Sequence, residues 1–328
     1  MLHKNFWELL ETFKHNDIGF SILGNPFHID DNSCEKLKAL GCEKYQLSID
    51  GLRRTHDYFR KPGSFDTTLN AINTINKAGI CSVIMSTVSG LNIDEIPDVI
   101  DLVVEHEAEV FSFARYCPTS SCASSGITSE LSSFTRYRPT SSSESNSIAR
   151  YCPKNSGETP EVSSSMRYRQ TNSSESSGIT PEKYREFLSV CDEKFRTYEA
   201  QGCRTYFDRK DHLWTLYDYE AGRFAIPNDA EKGIIYGGCN CGNAHITILP
   251  SGDVYACRRV RNSKVGNVLT DKLSDLWLNE MENFREYDKF VKCSKCELLP
   301  YCRGCPAVAM GTYGNFYAED PQCWKEIK

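Results

Sequence analysis

Eight cysteines between positions 239 and 323 have a spacing that could bind metal. Thiolates are soft ligands that select zinc or iron–sulfur clusters, and cysteines two or three residues apart let one turn of backbone present two sulfurs to one centre. Eight thiolates suffice for two four-thiolate sites, so the pattern predicts metal or cluster binding. The cysteines are Cys239, Cys241, Cys257, Cys293, Cys296, Cys302, Cys305 and Cys323.

Two other uses of cysteine fit the sequence less well. Disulfide frameworks are typical of short secreted chains, whereas this chain has 328 residues and residues 1–5 begin no apolar signal run. A zinc ribbon usually separates its two Cys-x2-Cys pairs by roughly 15–20 residues. Here only five residues separate Cys296 from Cys302. Iron–sulfur clusters are therefore the favoured interpretation, with structural zinc and disulfides as alternatives.

The order of these cysteines resembles the SPASM domain, a C-terminal extension of many radical S-adenosylmethionine (SAM) enzymes. The resemblance extends to the ending at residues 320–324. It implies two auxiliary [4Fe–4S] clusters whose ligands interleave along the chain. The implied ligands are Cys239, Cys241, Cys257 and Cys305 for the first cluster, and Cys293, Cys296, Cys302 and Cys323 for the second. Cys239 and Cys241 lie closer together than is common in the family. If only one of them binds, the first cluster keeps an open iron for substrate.

A second resemblance lies in residues 48–65, which are similar to the S-x-D-G, H-D-x-x-R and G-S-F motifs after the fourth strand of the radical SAM partial barrel. In that family the serine and the arginine hold the SAM carboxylate. The resemblance therefore implies a cofactor site formed by Ser48 and Arg60, together with Asp50. A guanidinium offers a rigid donor fork to a carboxylate, and a strand-end hydroxyl adds a short hydrogen bond. His56 and Asp57 are expected only to orient this loop.

One expected motif is missing from the sequence. The radical cluster of this family is held by a C-x3-C-x2-C loop, and no such triplet occurs here, nor does the Gly-Gly-Glu segment that binds the SAM amino group. The first strand of this chain corresponds to the third strand of the family, since Gly24-Asn25-Pro26 stands where members often carry Thr-Asn-Gly. We therefore expect a truncated chain or one part of a split enzyme, with an unpaired strand edge at residues 18–23.

The segments before residue 115 alternate between strand-like and helix-like patterns. Strands are predicted at 18–23, 45–49, 80–88 and 110–113, and helices at 6–14 and 34–40. A further helix carries the apolar stripe Phe65, Leu69, Ile72 and Ile75, and another is entered through Asn92 or Asp94. This alternation predicts parallel β/α units, whose sites gather at the carboxyl ends of the strands.

With the resemblance, the predicted fold class is α/β: the C-terminal part of a partial (β/α)6 radical SAM barrel followed by a small cysteine-rich SPASM domain with a β-hairpin and two cluster sites. Four regions are predicted: the partial barrel at 1–115, an insertion at 116–180, a helix and connector at 181–235, and the SPASM domain at 236–328. The hairpin pairs residues 245–249 with 254–256 and delivers Cys257 to the first cluster. The aromatic residues of 203–235 are expected to be ordinary packing.

The insertion repeats an Arg-Tyr unit, each copy followed by serine-rich sequence. The arginines are 21, 14 and 17 residues apart, which is too irregular for a solenoid. Tandem duplication of one loop into largely disordered sequence is the favoured interpretation, and binding of an acidic or aromatic peptide by the Arg-Tyr units is the alternative. Cys117, Cys122 and Cys152 are then expected to be free thiols.

Composition narrows the class of protein. Hydrophobic residues make up 40% and charged residues 25%, which allows a folded core, and the net charge of −6 gives no sign of nucleic-acid binding. No apolar run is long enough to span a membrane. The sequence therefore predicts a cytoplasmic protein whose 16 cysteines stay reduced.

The predicted function is that of a radical SAM/SPASM enzyme that modifies a ribosomally made peptide, by thioether or other crosslink formation. The resemblance implies SAM and the auxiliary clusters as cofactors. It implies a precursor peptide, an electron donor such as flavodoxin or ferredoxin, and a companion chain with the radical cluster as partners. Arg258 stands where sulfatase-maturing enzymes tend to carry an acidic residue, which disfavours that branch. The alternatives are a sulfatase-maturase-like enzyme and a non-catalytic iron–sulfur binding or electron-transfer module.

Overall fold

A five-stranded parallel sheet forms the first part of the molecule. The computed structural model describes residues 3–118, 178–231, 233–260 and 262–327. The strands are β1 (Phe20–Leu23), β2 (Cys42–Ser48), β3 (Cys81–Val88), β4 (Val110–Arg115) and β5 (Tyr206–Asp208), and they lie side by side in that order. Every neighbouring pair is parallel, as predicted. Among the described residues β1 pairs only with β2, so it lies at an edge of the sheet.

Seven helices among the described residues accompany this sheet: α1 (Phe6–His15), α2 (Asp31–Ala39), α3 (Arg53–Phe59), α4 (Ser64–Lys77), α5 (Ile96–Glu105), α6 (Pro181–Ala200) and α7 (Leu213–Glu220). The predicted stripe of α4 is buried in the core, because its apolar residues recur every three or four positions and so share one face. Helix α6 begins as predicted, with the Thr180 hydroxyl accepting a hydrogen bond from the Lys183 N–H (3.2 Å).

The predicted entry to α5 lies one to three residues too early, because Glu95 is the N-cap of the helix. Helix α5 begins at Ile96, whereas the sequence predicted entry through Asn92 or Asp94. The Asn92 side chain caps no helix. Its amide donates to the carbonyl oxygens of Asp50 (3.0 Å) and Thr87 (2.8 Å), and its Oδ1 accepts from the Ser89 N–H (2.7 Å). Asn92 therefore joins the ends of β2 and β3.

The connector predicted at 203–235 contains two elements that the sequence did not reveal, β5 and α7. Strand β5 has only three residues, too few to display an alternating pattern. Its Phe207 is buried and stacks on Phe195 with ring centroids 4.3 Å apart. Trp214 of α7 is also buried, next to Phe113 and Phe195. The prediction that the connector aromatics serve packing is confirmed for Trp214.

The cysteine-rich part has short elements joined by turns. Strands β6 (Thr247–Ile248), β7 (Asp253–Tyr255) and β8 (Lys264–Asn267) form an antiparallel sheet, and helices α8 (Leu273–Leu278) and α9 (Pro306–Tyr313) follow. The predicted hairpin is confirmed, with Thr247 opposite Tyr255. Most of the predicted insertion lies outside the described residues. Within the described ranges, none of the helices combines the length and apolarity that a membrane span requires.

Candidate functional site

A buried carboxylate lies just beyond the end of β2. Asp50 has no solvent-exposed surface, and its Oδ2 accepts hydrogen bonds from Arg60 Nε (2.7 Å) and pairs with Arg60 Nη2 (2.6 Å). Its Oδ1 accepts from the Thr87 N–H (2.8 Å) at the end of β3. The Arg60 side chain is 41% exposed. Asp50 therefore fixes one side of the guanidinium while the rest of it faces outward.

His56 and Asp57 support this loop, as the sequence predicted. His56 Nδ1 accepts from the Asp50 N–H (3.2 Å), and burial lowers the pKa of His56 to about 4, so its ring is neutral near pH 7. Asp57 accepts from the N–H groups of Gly63 (2.8 Å) and Phe65 (2.9 Å) and so caps the start of α4. Ser48, the last residue of β2, is half-buried at the same end of the sheet.

The first thiol group consists of Cys239, Cys241, Cys257 and Cys305. The neighbouring thiols of Cys241 and Cys257 interact, which lowers the pKa of Cys257 and raises that of Cys241. The Cys241 N–H donates to Cys239 Sγ (3.5 Å). Cys305 is buried, and its charge acts on both Cys239 and Cys241. The four thiols that the family resemblance assigns to the first cluster therefore lie together.

The second thiol group consists of Cys293, Cys296, Cys302 and Cys323. Burial raises the pKa of Cys293 to about 12, and the charges of Cys323 and Cys296 act in the same direction. Cys302 is buried, and the nearby charges of Cys293 and Cys323 raise its pKa further. The cysteines of the structure's described part are free thiols, not disulfides. The interleaved ligand assignment, in which Cys302 and Cys305 bind different clusters, stays a prediction.

A buried ionic network connects both thiol groups to the parallel sheet. Arg115, the last residue of β4, is 2% exposed and pairs with Asp320 Oδ1 (2.5 Å) and Asp211 Oδ2 (2.9 Å). Asp320 Oδ2 also accepts from the Cys305 N–H (2.7 Å), and its Oδ1 accepts from the Gln322 N–H (3.0 Å). Asp320 thus holds a residue of the first thiol group and the residue before Cys323.

Two further features fix the loop between Cys302 and Cys305. The Arg303 guanidinium donates to the carbonyl oxygens of Gly237 (2.9 Å) and Cys239. Gly304 has φ +58°, and a Cβ there would lie 2.4 Å from the Cβ of Asp320. Only glycine combines that backbone angle with so close an approach. The loop therefore brings the leading cysteine segment and Asp320 to the same place.

The ligand atoms of both thiol groups are of the kind that binds iron–sulfur clusters. Each group offers four thiols, which is the ligand type that iron–sulfur clusters use. Within the residues that the structure covers, no three His, Cys, Asp or Glu side chains are placed so as to hold a single metal ion. The residues of the proposed SAM loop lie at the carboxyl ends of β2 and β3, and Arg115 brings the thiol groups to the end of β4.

Two sequence models of known families match the chain. Residues 1–103 match the radical SAM superfamily, and residues 239–306 match the SPASM iron–sulfur cluster-binding domain. The AdoMet-dependent heme synthase of Nitratidesulfovibrio vulgaris is 22% identical over 98% of this chain and 76% of its own length. The sporulation killing factor maturation protein SkfB of Bacillus subtilis is 31% identical over 34% of this chain and 27% of its own length.

Solved structures share the fold. The structure of anSMEcpe with bound AdoMet and the Kp18Cys peptide has a TM-score of 0.63 and 16% sequence identity, and the match covers 98% of this chain and 76% of that one. This similarity supports the fold class predicted from the sequence. The two domain models occur in the expected order, so the chain carries a radical SAM region followed by an iron–sulfur cluster-binding SPASM domain.

Proposed function

We propose that this chain is the cluster-bearing part of a radical SAM/SPASM system that modifies a peptide. The observation that carries the proposal is the buried pair of Arg115 and Asp320, which joins the thiol groups to the carboxyl end of the parallel sheet. Sites in parallel β/α folds gather at these strand ends. The SAM loop and the thiol groups therefore serve one site.

In this proposal the first thiol group and the second thiol group each hold one auxiliary [4Fe–4S] cluster. Ser48 and Arg60 hold the SAM carboxylate, and Asp50 keeps the guanidinium in position through its two contacts. When bound, SAM and the clusters supply hydrogen-atom abstraction and a path for single electrons. The chain itself binds these groups, orients them and buries the thiolates.

A peptide is the favoured substrate. SkfB, a sporulation killing factor maturation protein by its name, is similar to 34% of this chain, and the structurally similar anSMEcpe was solved with a bound peptide. Arg258, directly after Cys257, is exposed and positively charged, so it cannot supply a carboxylate base there. A tetrapyrrole is the second candidate, since the heme synthase matches nearly the whole chain.

The cluster assignment is tested by measuring iron, acid-labile sulfide and zinc after strictly anaerobic reconstitution. We expect about eight irons and eight sulfides per chain, as two four-iron clusters require. Tightly bound zinc without sulfide would overturn the proposal and leave a structural zinc module.

The SAM loop is tested with Asp50→Asn. Hydrogen bonds to charged groups contribute about 1.5–3 kcal/mol, so loss of the Asp50 charge should weaken SAM binding by roughly tenfold or more. Binding is measured by calorimetry, with 5′-methylthioadenosine, which lacks the carboxylate, as a ligand whose affinity should not change. Asp66→Asn is the matched control, because Asp66 pairs with Arg53 at an exposed position. Equal affinities for SAM in both variants would refute the role of Asp50.

The substrate is tested by adding SAM, dithionite and a companion protein that carries the C-x3-C-x2-C cluster. A cysteine-containing peptide library and iron coproporphyrin III are offered in parallel. We expect SAM cleavage and a peptide that has lost two hydrogens, detected by mass spectrometry. Conversion of the porphyrin alone would replace the peptide with a tetrapyrrole, and SAM cleavage in neither reaction would favour a non-catalytic module.

A further inference from the structure

Lys292 links two segments that carry cysteines of the second thiol group. It stands directly before Cys293, and its Nζ donates a hydrogen bond to the carbonyl oxygen of Cys323 (3.1 Å), 31 positions later in the chain. The same ammonium pairs with Glu319 Oε2 (3.2 Å). One lysine side chain therefore connects the start of the Cys293 segment with the segment that ends in Cys323.

The same two segments also lie side by side through other contacts. The Val291 N–H donates to the Tyr317 carbonyl oxygen (2.9 Å), one residue before Lys292. The ring of Phe290 packs edge-on against the ring of Tyr317, with centroids 5.1 Å apart. These contacts bring the backbone of the two segments together and place the Lys292 side chain within reach of the Cys323 carbonyl oxygen.

The charge of Lys292 is shielded from water more than the charge of its ion-pair partner. The Lys292 side chain is 20% exposed, whereas the Glu319 side chain is 51% exposed. Water and salt screen exposed charges more strongly than partly buried ones. The Lys292 ammonium therefore acts on the neighbouring cysteines more strongly than Glu319 opposes it. Lys295 of the same segment is exposed, so its charge is screened.

A cation at this place would change the reduction potential of a bound cluster. A [4Fe–4S] cluster held by four thiolates carries negative charge, and reduction adds one electron to it. A nearby cation stabilises the reduced form more than the oxidised form, and so it raises the reduction potential. Because the Lys292 ammonium is bonded to the backbone of Cys323, a residue of the second thiol group, this effect belongs to the second cluster.

We propose that Lys292 is a positioning residue for the second cluster: its ammonium holds the Cys323 segment next to Cys293 and raises the reduction potential of the cluster. The inference rests on the proposed function, in which the second thiol group binds a [4Fe–4S] cluster. On reduction the cluster takes up one electron from an external reductant, which is dithionite in the test below. Lys292 keeps its proton, and no side chain is oxidised.

The test compares Lys292→Met and Lys292→Arg in the full chain after anaerobic reconstitution. Iron and sulfide are counted, and the midpoint potentials of the clusters are measured by stepwise reduction with dithionite, followed by EPR. We expect Lys292→Met to lower one midpoint potential, and Lys292→Arg, which keeps the positive charge, to stay near the wild type. Lys295→Met removes an exposed charge directly before Cys296 and should leave the potentials unchanged. Unchanged potentials in Lys292→Met, or an equal shift in Lys295→Met, would overturn the inference.

Glu319→Gln provides a second variant in case Lys292→Met does not retain its cluster. It removes the carboxylate that opposes the ammonium and leaves the hydrogen bond from Lys292 to Cys323 in place. We expect the same midpoint potential to rise, by less than it falls in Lys292→Met. A fall or no change in Glu319→Gln would refute this inference alone, provided that the wild type holds its clusters. Absence of iron and sulfide from the wild type would refute the proposed function as well.

Discussion

The two halves of the molecule are stabilised in different ways. The sheet half has four parallel strand pairings and a continuous apolar core. The SPASM half has three short strands, and its smaller core includes the thiols of Cys241, Cys293 and Cys305 among the buried residues. A region with few regular elements and a small apolar core gains folding free energy from bound metal or clusters when its unfolded chain has no preformed site. This difference predicts that the SPASM half depends on its ligands to fold.

Removal of the clusters should therefore affect one half far more than the other. Metal binding free energy is folding free energy when the unfolded chain has no preformed site. We expect residues 239–323 to lose protection from hydrogen exchange after chelation, while β2, β3 and α4 keep theirs. The measurement is hydrogen exchange with mass spectrometry under anaerobic conditions, on loaded and stripped protein. Equal loss of protection in both halves would show that their stabilities are not separable.

The two halves were predicted from different kinds of information in the sequence. The sheet half followed from apolar periodicity, as in the buried stripe of α4. The composition of the thiol groups came from a family resemblance, because spacing alone does not say that Cys302 and Cys305 belong to different groups. The link between Arg115 and Asp320 spans 205 positions and has no local signal. Strand β5 was missed because it has only three residues. Asn92 was predicted only as a helix entry, because its actual partners, the carbonyl oxygens of Asp50 and Thr87, are distant in sequence or belong to another element.

The link between the halves should be the next most sensitive feature. Arg115→Met leaves Asp320 and Asp211 buried without their cation, and loss of one partner from a buried ion pair costs about 3–5 kcal/mol. We expect the free energy of unfolding, measured with urea on the cluster-loaded protein, to fall by this amount. Arg204→Met is the control, because its pair with Glu109 is largely exposed and contributes about 1 kcal/mol or less. Equal free energies of unfolding for the two variants would show that the ion pairs of Arg115 do not stabilise the protein more than an exposed pair does.

A cavity made by mutation in the core of the sheet half should lower the free energy of unfolding by the same amount with and without the clusters. Ile72 of α4 has no exposed surface, so Ile72→Ala should cost about 2–5 kcal/mol. We expect the same cost in loaded and stripped protein, followed by circular dichroism during urea unfolding. Val190→Ala, at a position of α6 that is 40% exposed, should change the free energy by less than about 0.5 kcal/mol. A cost that appears only in the loaded protein would mean that the sheet half also depends on the clusters.

The smallest expected effect is the pH dependence of stability that His56 gives to the sheet half. Burial lowers the pKa of His56 from 6.5 to about 4. As the pH falls, His56 of the unfolded chain is therefore protonated near pH 6.5, whereas His56 of the folded chain stays neutral until about pH 4. Stability is therefore lost as the pH falls through this window, by at most about 3 kcal/mol. His56→Asn keeps an acceptor for the Asp50 N–H and should show a shallower decline between these pH values. Urea unfolding at several pH values measures it, with His15→Asn, an exposed position at the end of α1, as the control. If the two variants and the wild type declined in parallel, His56 would contribute nothing to the acid sensitivity of the sheet half.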